Sequence, residues 1–283
     1  MNAALIALCA LVPLALGLVT SQDDSDADAQ ADGDKLIALE LKADHDALQP
    51  GATITLGLRC KVERRWHVYW GENSGNSGLP FKATITGPDG YEIGKVRFPW
   101  PKRHESPGDI VEYIHEGELY VLADVKVPAS AKPGDKVEFA VAASWLVCTE
   151  VCVSGSGKTS LSMNVDSKSA LANEAIFTAA RAKEPRPWSE LGRAGATFAG
   201  DAAAPKLKFV VAGITDLEFF PYRSSTTTLV GRKVEIGKQG GTLALDFEFE
   251  KRNDGDKPET RGVLWVKTDK GETSYLFEKS FKP

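Results

Sequence analysis

The chain has 283 residues, of which 26% are charged, and its formal net charge is −5. This length is sufficient for two domains that each bury a hydrophobic core. No basic patch stands out in the sequence, so the charge pattern argues against binding to nucleic acid and against attraction to an anionic membrane surface.

An apolar run of small and aliphatic residues extends from Ala3 to Val19. Val19-Thr20-Ser21 then fits a signal-peptidase site, so residues 1–21 are predicted to be a signal peptide. The protein is therefore expected to be periplasmic or otherwise exported, and soluble. No Lys or Arg precedes the apolar run, which leaves an uncleaved N-terminal anchor as the alternative.

An acidic spacer is predicted over residues 22–34. It contains six aspartates and no hydrophobic residue larger than alanine. Such a segment cannot bury apolar surface, so we expect it to be disordered. Its six negative charges exceed the net charge of the whole chain, which leaves the body of the protein close to neutral.

Short strand-like runs separated by Gly, Pro, Asn and Asp begin at Leu36. In the clearest run, apolar and polar residues alternate from Ile54 to Val62, which is typical of a half-buried strand, and Cys60 lies on its apolar face. Further strands are predicted at 81–86, 95–98, 118–127, 136–143 and 158–165, with irregular segments at 71–80 and 99–109. This spacing predicts an antiparallel β-sandwich over residues 35–168.

The pattern becomes helical within residues 169–187. Apolar residues recur at helical spacing from Leu171 to Ala180, and prolines follow at 185 and 187, which predicts a short linker helix. A second β-sandwich domain is predicted over residues 188–283, with strands at 207–212, 217–220, 226–230, 243–250, 262–268 and 273–279. This region has neither Cys nor His, which favours a structural or partner-binding role.

Two cysteines, Cys148 and Cys152, lie between the predicted strands 136–143 and 158–165, at the turn of a predicted hairpin. Three intervening residues allow the two Cα atoms to come within disulfide range across a turn. A disulfide that closes so short a loop stabilises the folded state by about 2 kcal/mol, whereas one that closes a loop of about a hundred residues stabilises it by about 5 kcal/mol. Because it would stabilise so little chain, the spacing raises the odds of a pair used in thiol–disulfide exchange.

Other interpretations of the cysteines stay open at this level. The pair could be only a structural bridge, in a non-catalytic binding or structural module. A copper-handling protein could bind Cu(I) through Cys148, Cys152 and Met163, but the histidines show no ligand spacing, so no metal site is predicted. Cys60 is the cysteine left over after export; we predict a buried, unreactive thiol, with a resolving partner of the pair as the alternative.

Several motifs in the same order resemble the periplasmic N-terminal domain, the disulfide bond corrector domain, of DsbD/ScsB-type thiol:disulfide interchange proteins. The segments that carry the resemblance are Trp66–Pro80, Val96–Pro101, Tyr113–Glu118, Val147–Val153, Ala175–Arg181 and Arg261–Val266. Together they cover nearly all of the chain after the acidic spacer. No single segment is specific, but the ordered set is.

The resemblance implies immunoglobulin-like sandwiches and a Cys148–Cys152 pair that cycles between dithiol and disulfide without a cofactor. It implies an oxidoreductase-like module that passes electrons to periplasmic thioredoxin-fold or disulfide-isomerase partners. It also implies a cap loop that covers the pair, and this loop maps to Tyr113, Ile114 and His115.

The same resemblance places Trp66, Tyr69 and Trp70 on the surface beside the pair, with core packing as the alternative. Glu150 lies between the thiols and would raise their pKa values by like-charge repulsion, whereas a protonated His115 in the cap would lower them.

The chain departs from full-length members of this family, which continue into a transmembrane electron-relay domain. A separate membrane subunit is therefore a candidate electron source, and a scaffold that kept the fold is the alternative. A proline often follows the second cysteine in the family, and Val153 stands there in this chain.

Overall fold

The computed structural model describes residues 32–192, 194–199 and 204–280. The predicted signal peptide, residues 1–21, and most of the predicted spacer lie outside these ranges. The first described element is a 3-10 turn, Gly33–Lys35, in which the Asp34 carboxylate accepts a hydrogen bond from the backbone N–H of Ser156 at 2.6 Å. The last residues of the spacer are therefore ordered, contrary to prediction, because this carboxylate caps the edge of a strand.

Ten strands of the described residues form the first sandwich. They are β1 Ile37–Ala43, β2 Thr53–Val62, β3 His67–Tyr69, β4 Lys82–Thr86, β5 Glu92–Ile93, β6 Lys102–Ser106, β7 Ile110–Glu116, β8 Glu118–Lys126, β9 Lys136–Cys148 and β10 Cys152–Asn164. One sheet has the strand order β1-β2-β8-β5. The other has the order β10-β9-β3-β7-β6, and β4 also pairs with β9. The short strand β3 thus lies between β9 and β7.

The core of the first sandwich is built from residues that recur at every second position of the long strands. Leu56, Leu58, Phe139 and Val147 are fully buried there. Cys60 is buried in the same core and forms no disulfide, and burial raises the pKa of its thiol to about 12. The prediction that Cys60 lies in the core is confirmed.

The helix after the first sandwich, α1, spans Glu174–Arg181 and is shorter than the predicted segment 169–187. Phe177 and Ala180 are buried against Leu122 of β8. Arg181 forms an ion pair with the buried carboxylate of Asp44. The helix therefore packs on the first sandwich, because its apolar face and its last charged residue both find partners there.

The second sandwich follows α1. Its strands are β11 Arg186–Pro187, β12 Ala194–Ala199, β13 Lys206–Ala212, β14 Asp216–Pro221, β15 Thr227–Gly237, β16 Gly240–Phe249, β17 Glu259–Thr268 and β18 Gly271–Ser280. They form two sheets, with the orders β11-β18-β17-β14 and β12-β13-β16-β15. The short pair β11–β18 is parallel, and the other pairs are antiparallel. In its core, Phe277 packs edge-on against Phe209 and Phe219, and the rings of Phe209 and Phe219 are tilted relative to each other.

The two sandwiches contact each other next to β3. Trp70, which follows β3, packs edge-on against Phe220 and Tyr222, with ring centroids 6.3 and 5.4 Å apart. The side-chain amide of Asn73 donates a hydrogen bond to the carbonyl of Pro221 at 2.9 Å. The loop after β3 is therefore held by both sandwiches.

The predicted fold class is confirmed, since the chain is mainly β and forms two antiparallel sandwiches joined by a short helix. Two local predictions are wrong. Residues 95–98 form no strand, because only Arg97 makes an isolated bridge, to Leu122, and β5 lies earlier in the chain. Residues 99–109, predicted to be irregular, contain β6, which pairs with β7.

No helix within the described ranges is long and apolar enough to cross a membrane.

Candidate functional site

The β9–β10 hairpin brings the two cysteines together at its tip. Cys148 is the last residue of β9 and Cys152 is the first of β10, and the two are cross-strand partners with Cα atoms 4.1 Å apart. A disulfide joins them. Cys148 is 1% exposed, whereas Cys152 is an exposed residue, so a partner reaches the two sulfurs unequally.

Tyr69, in the neighbouring strand β3, lies over the disulfide. Its hydroxyl oxygen is 3.5 Å from Cys148 Sγ and 3.9 Å from Cys152 Sγ. Tyr69 and Cys148 form a small buried cluster with Ile114 of β7, separate from the main core. Burial, and then the hydrogen bond to Glu112, raise the pKa of Tyr69 to about 12, so its hydroxyl stays protonated.

A buried carboxylate, Glu112 of β7, organises the polar side of the site. It accepts hydrogen bonds from the hydroxyls of Tyr69 at 2.8 Å, Ser77 at 2.5 Å and Ser106 at 2.7 Å. Burial alone would raise the pKa of Glu112, but these three hydrogen bonds outweigh it and the pKa is lowered. Glu112 is therefore ionised at neutral pH and fixes the direction of the Tyr69 hydroxyl.

The Gly-rich loop after β3, residues 71–80, closes over Tyr69. Its Ser77 donates to Glu112, and its Gly78 has φ +72° and lies against the Tyr69 ring. A Cβ at Gly78 would come within 3 Å of three ring atoms, so only glycine allows this approach. The loop predicted to carry function thus supplies two contacts to the site.

Comparison with known proteins identifies the first sandwich. Residues 34–164 match the family model described as thiol:disulfide interchange protein DsbD, N-terminal. The first sandwich is therefore similar to DsbD N-terminal domains. The predicted resemblance is therefore confirmed for the part of the chain that carries the cysteine pair.

One solved structure, that of ScsB, supports the fold of both sandwiches. The N-terminal periplasmic domain of ScsB from Proteus mirabilis is 13% identical, with a TM-score of 0.59 over 87% of this chain and 94% of that chain. The reduced DsbD N-terminal domain from Neisseria meningitidis is 13% identical, with a TM-score of 0.29 over 52% of this chain and 98% of that chain. No curated protein matches this sequence.

The segment predicted to be a cap loop is not a loop in this chain. Tyr113, Ile114 and His115 lie within β7 and are all buried. Because successive strand residues face opposite sides of a sheet, only Ile114 shares the face of Tyr69 and the disulfide. Tyr113 packs on Phe220 of the second sandwich, 5.5 Å between ring centroids.

His115 cannot act on the disulfide as the sequence suggested. It faces away from the pair, and burial lowers its pKa to about 3, so the imidazole is neutral. Its Nε2 is buried without a hydrogen-bond partner in the described part of the chain. The expected protonated histidine above the thiols is therefore wrong.

Of the three aromatic residues predicted to line the surface beside the cysteines, Tyr69 lies next to them. Trp66 and Trp70 are 6% and 1% exposed and belong to the main core, so for them the alternative of core packing is correct. Of these three aromatic residues, Tyr69 is the one whose hydroxyl lies beside the sulfurs. Glu150 lies exposed in the turn between the cysteines.

Sequence reasoning missed Glu112, Ser77 and Ser106, which come from three separate segments. Alternation along 110–116 would have placed Glu112 on the same face as Ile114, but the register between strands decides that this face meets Tyr69. Among the described residues, no group of three His, Cys, Asp or Glu side chains is arranged to hold a metal ion.

Proposed function

We propose that this chain is an exported thiol:disulfide interchange module that passes electrons between partner thiols through Cys148 and Cys152. The observation that carries the proposal is the disulfide at the hairpin tip of a domain similar to DsbD N-terminal domains, in which Cys152 is an exposed residue and Cys148 a buried one. An exposed sulfur with a second thiol behind it is the arrangement that thiol–disulfide exchange requires.

Unequal exposure sets the order of events. A thiolate of the reduced partner attacks Cys152 Sγ, which forms a mixed disulfide and breaks the Cys148–Cys152 bond. The electron pair of that bond leaves on Cys148 Sγ. The partner's second thiolate then attacks its own sulfur in the mixed disulfide, so the partner becomes a disulfide and this chain a dithiol. The reverse sequence, with Cys148 as the resolving thiolate, passes both electrons to an oxidised partner.

Tyr69 and Glu112 act on the buried sulfur. In the disulfide state the Tyr69 hydroxyl donates a hydrogen bond to Glu112, so an oxygen lone pair is free to face Cys148 Sγ at 3.5 Å. Once Cys148 is a thiol, its S–H has an acceptor at that oxygen. The negative charge of Glu112 also disfavours a second negative charge nearby. Both effects support the protonated, reduced form of Cys148.

The partners we propose are thioredoxin-fold or disulfide-isomerase proteins of the periplasm or an equivalent exported compartment, where disulfides persist. A separate membrane subunit would supply the electrons. No cofactor is required, because the two sulfurs carry the electron pair. Tyr113, Ile114 and Trp70 support the site through β7 and the second sandwich, and they do not act as a mobile cap.

The competing function is a structural bridge in a binding module. The β9–β10 hairpin already pairs residue by residue from Lys136–Asn164 to Cys148–Cys152, and β9 also pairs with β3 and β4. A disulfide at the tip adds about 2 kcal/mol of stability to a hairpin that this pairing already holds in place. The exposed position of Cys152 also suits exchange better than protection.

The test uses single-cysteine variants of the full chain in extracts of the exported compartment. Cys148→Ala leaves the exposed sulfur and should trap mixed disulfides with thioredoxin-fold proteins. Cys152→Ala leaves the buried sulfur and should trap several-fold less. The pair should have a reduction potential of about −180 to −270 mV, the range of working exchange proteins. No adducts with either variant, together with a potential below about −300 mV, would establish a structural bridge.

A further inference from the structure

A histidine stands directly opposite the buried cysteine. His67 of β3 is the cross-strand partner of Cys148 of β9, and Tyr69 follows two residues later in the same strand. Opposite residues of antiparallel strands project to the same face, with Cβ atoms about 4.5–5.5 Å apart. The imidazole of His67 therefore starts on the face that carries the disulfide, next to Cys148.

The surroundings of the His67 ring fix its place. The ring meets Tyr69 edge-on at 5.7 Å and His104 of β6 at 5.8 Å between centroids. Its Nε2 is buried and makes no hydrogen bond to any described residue. Buried polar atoms normally have a hydrogen-bond partner, and a buried atom without one is destabilising. A group that appears only in another state of the site would explain this observation.

In the disulfide state no described residue hydrogen-bonds to that nitrogen, whereas the opened state supplies a new charged acceptor. When a partner thiolate attacks Cys152 Sγ, the electron pair of the broken bond goes to Cys148 Sγ. That thiolate is buried, and a buried anion needs a hydrogen-bond donor or a cation beside it. His67 is the basic side chain that the register places opposite it.

We infer that His67 stabilises the Cys148 thiolate during exchange, by donating a hydrogen bond to it and taking up a proton as the thiolate forms. This inference rests on the proposed function. The balance is unchanged, because the partner dithiol loses two electrons and two protons and this chain gains them. His67 takes up the proton of the attacking partner thiol and passes it to Cys148 Sγ, and the proton of the second partner thiol goes to Cys152 Sγ when the mixed disulfide opens. His67 thereby makes Cys148 a better leaving group.

Other ionisable groups face His67 on the same side of the sheet. They are Glu112 and Glu116 of β7, His104 and Lys102 of β6, and Tyr69 and Cys148. Lys102 is paired with Glu116 at 2.7 Å. Burial lowers the pKa of His67, Glu112 and Glu116 raise it, and His104 lowers it. The net direction is downward, so His67 is neutral beside the disulfide and gains a proton only when a new negative charge appears.

The first experiment uses NMR on the full chain and leaves His67 unchanged. The imidazole signals of the four histidines are titrated in the disulfide form and in the Cys152→Ala variant, which keeps Cys148 as a single thiol. We expect the pKa of His67 to rise by about one unit as the Cys148 thiolate forms. A His67 titration that is identical in the two proteins overturns the inference, and this measurement does not depend on any change at His67 itself.

The second experiment compares His67→Gln with the control His104→Gln. The control makes the same substitution at the neighbouring histidine, which is not opposite Cys148. In the Cys152→Ala background, thiolate absorbance should show a Cys148 pKa about one unit higher with His67→Gln, a tenfold loss of thiolate below that pKa. In the two-cysteine protein, reduction by dithiothreitol at pH 6 should slow by about three- to tenfold. His104→Gln should stay within about twofold of the parent.

The outcomes separate this inference from the proposed function. If His67→Gln leaves both the thiolate titration and the reduction rate unchanged, His67 only fills space between strands, whereas partner adducts of Cys148→Ala would still support exchange. If no partner adducts form, exchange loses its support, but the thiolate titration still reports whether His67 and Cys148 are coupled.

Discussion

Replacement of Gly78 by alanine tests how the Gly-rich loop holds the redox site. Gly78 has φ +72°, where an alanine costs about 1–2 kcal/mol of backbone strain. Its Cβ would come within 3 Å of three atoms of the Tyr69 ring. Normal carbon contacts are about 3.5–4.0 Å, so the ring must move by roughly 1 Å, at a cost of about 1–3 kcal/mol. The total expected loss of unfolding free energy is about 2–5 kcal/mol.

The chain contains a matched control for this change. Gly117, in the turn between β7 and β8, has φ +67°, and a Cβ there meets nothing within 4 Å. Gly117→Ala should therefore cost only the backbone strain of about 1–2 kcal/mol. The difference between the two variants isolates the collision with Tyr69.

Displacement of the Tyr69 ring should also change reactivity. The Tyr69 hydroxyl lies beside the disulfide, 3.5 Å from Cys148 Sγ and 2.8 Å from Glu112. A shift of about 1 Å breaks both contacts, so glutathione should reduce Gly78→Ala several-fold faster than the parent, and Gly117→Ala at the parental rate. Stability is measured by urea unfolding and the rate by mass spectrometry of alkylated samples. Equal stability losses and equal rates for the two variants would refute the role assigned to Gly78.

Further predictions concern buried ionisable groups and the bridge. Glu112→Gln should lower the free energy of unfolding by about 2–4 kcal/mol at pH 7. Because the pKa of Glu112 is lowered in the folded state, the difference in stability between parent and variant should shrink as the pH falls below 4.5. A difference in urea unfolding that does not change with pH would contradict the assignment. His115 stays neutral in the folded state down to about pH 3, whereas in the unfolded state it binds a proton near pH 6.5. The stability of the protein should therefore fall as the pH drops from 6.5 to 3. In thermal melts, His115→Leu should lose this dependence of stability on pH. Cys60 should react with a bulky maleimide only after unfolding, and rapid labelling of the native protein would show that the core is open there. Reduction of the Cys148–Cys152 bridge should cost about 2 kcal/mol and leave the β-type circular dichroism intact, whereas loss of that signal at room temperature would mean that the bridge holds the fold.

The strands that alternate clearly could be predicted from the sequence because their burial follows a local period of two. β2 and β8 appear near their predicted positions, and Cys60 lies on the buried face that alternation assigned to it. The same local logic placed Cys148 and Cys152 at one hairpin tip. Residues 95–98 and β6 were predicted wrongly because short, weakly alternating runs become strands only where a neighbour supplies the hydrogen bonds.

The composition of the site depends on register, which the sequence does not state. The pairing of β3 with β7 and β9 puts Tyr69 and Ile114 beside Cys148 and turns His115 to the opposite face. A shift of one residue would have reversed this assignment, since it moves every side chain of a strand to the other face. The predicted cap therefore failed on its geometry, although Ile114 does lie against the disulfide.

The sequence alone determined that this protein is mainly β and that Cys148 and Cys152 lie together at the tip of a hairpin, because both depend on residues near one another in the chain. Only the tertiary structure decided which sulfur is exposed, that Glu112 and Ser77 orient Tyr69, and that His67 stands opposite Cys148. These features join strands and loops that are distant in sequence, and the pairing of the sheet and the packing of the two sandwiches bring them together.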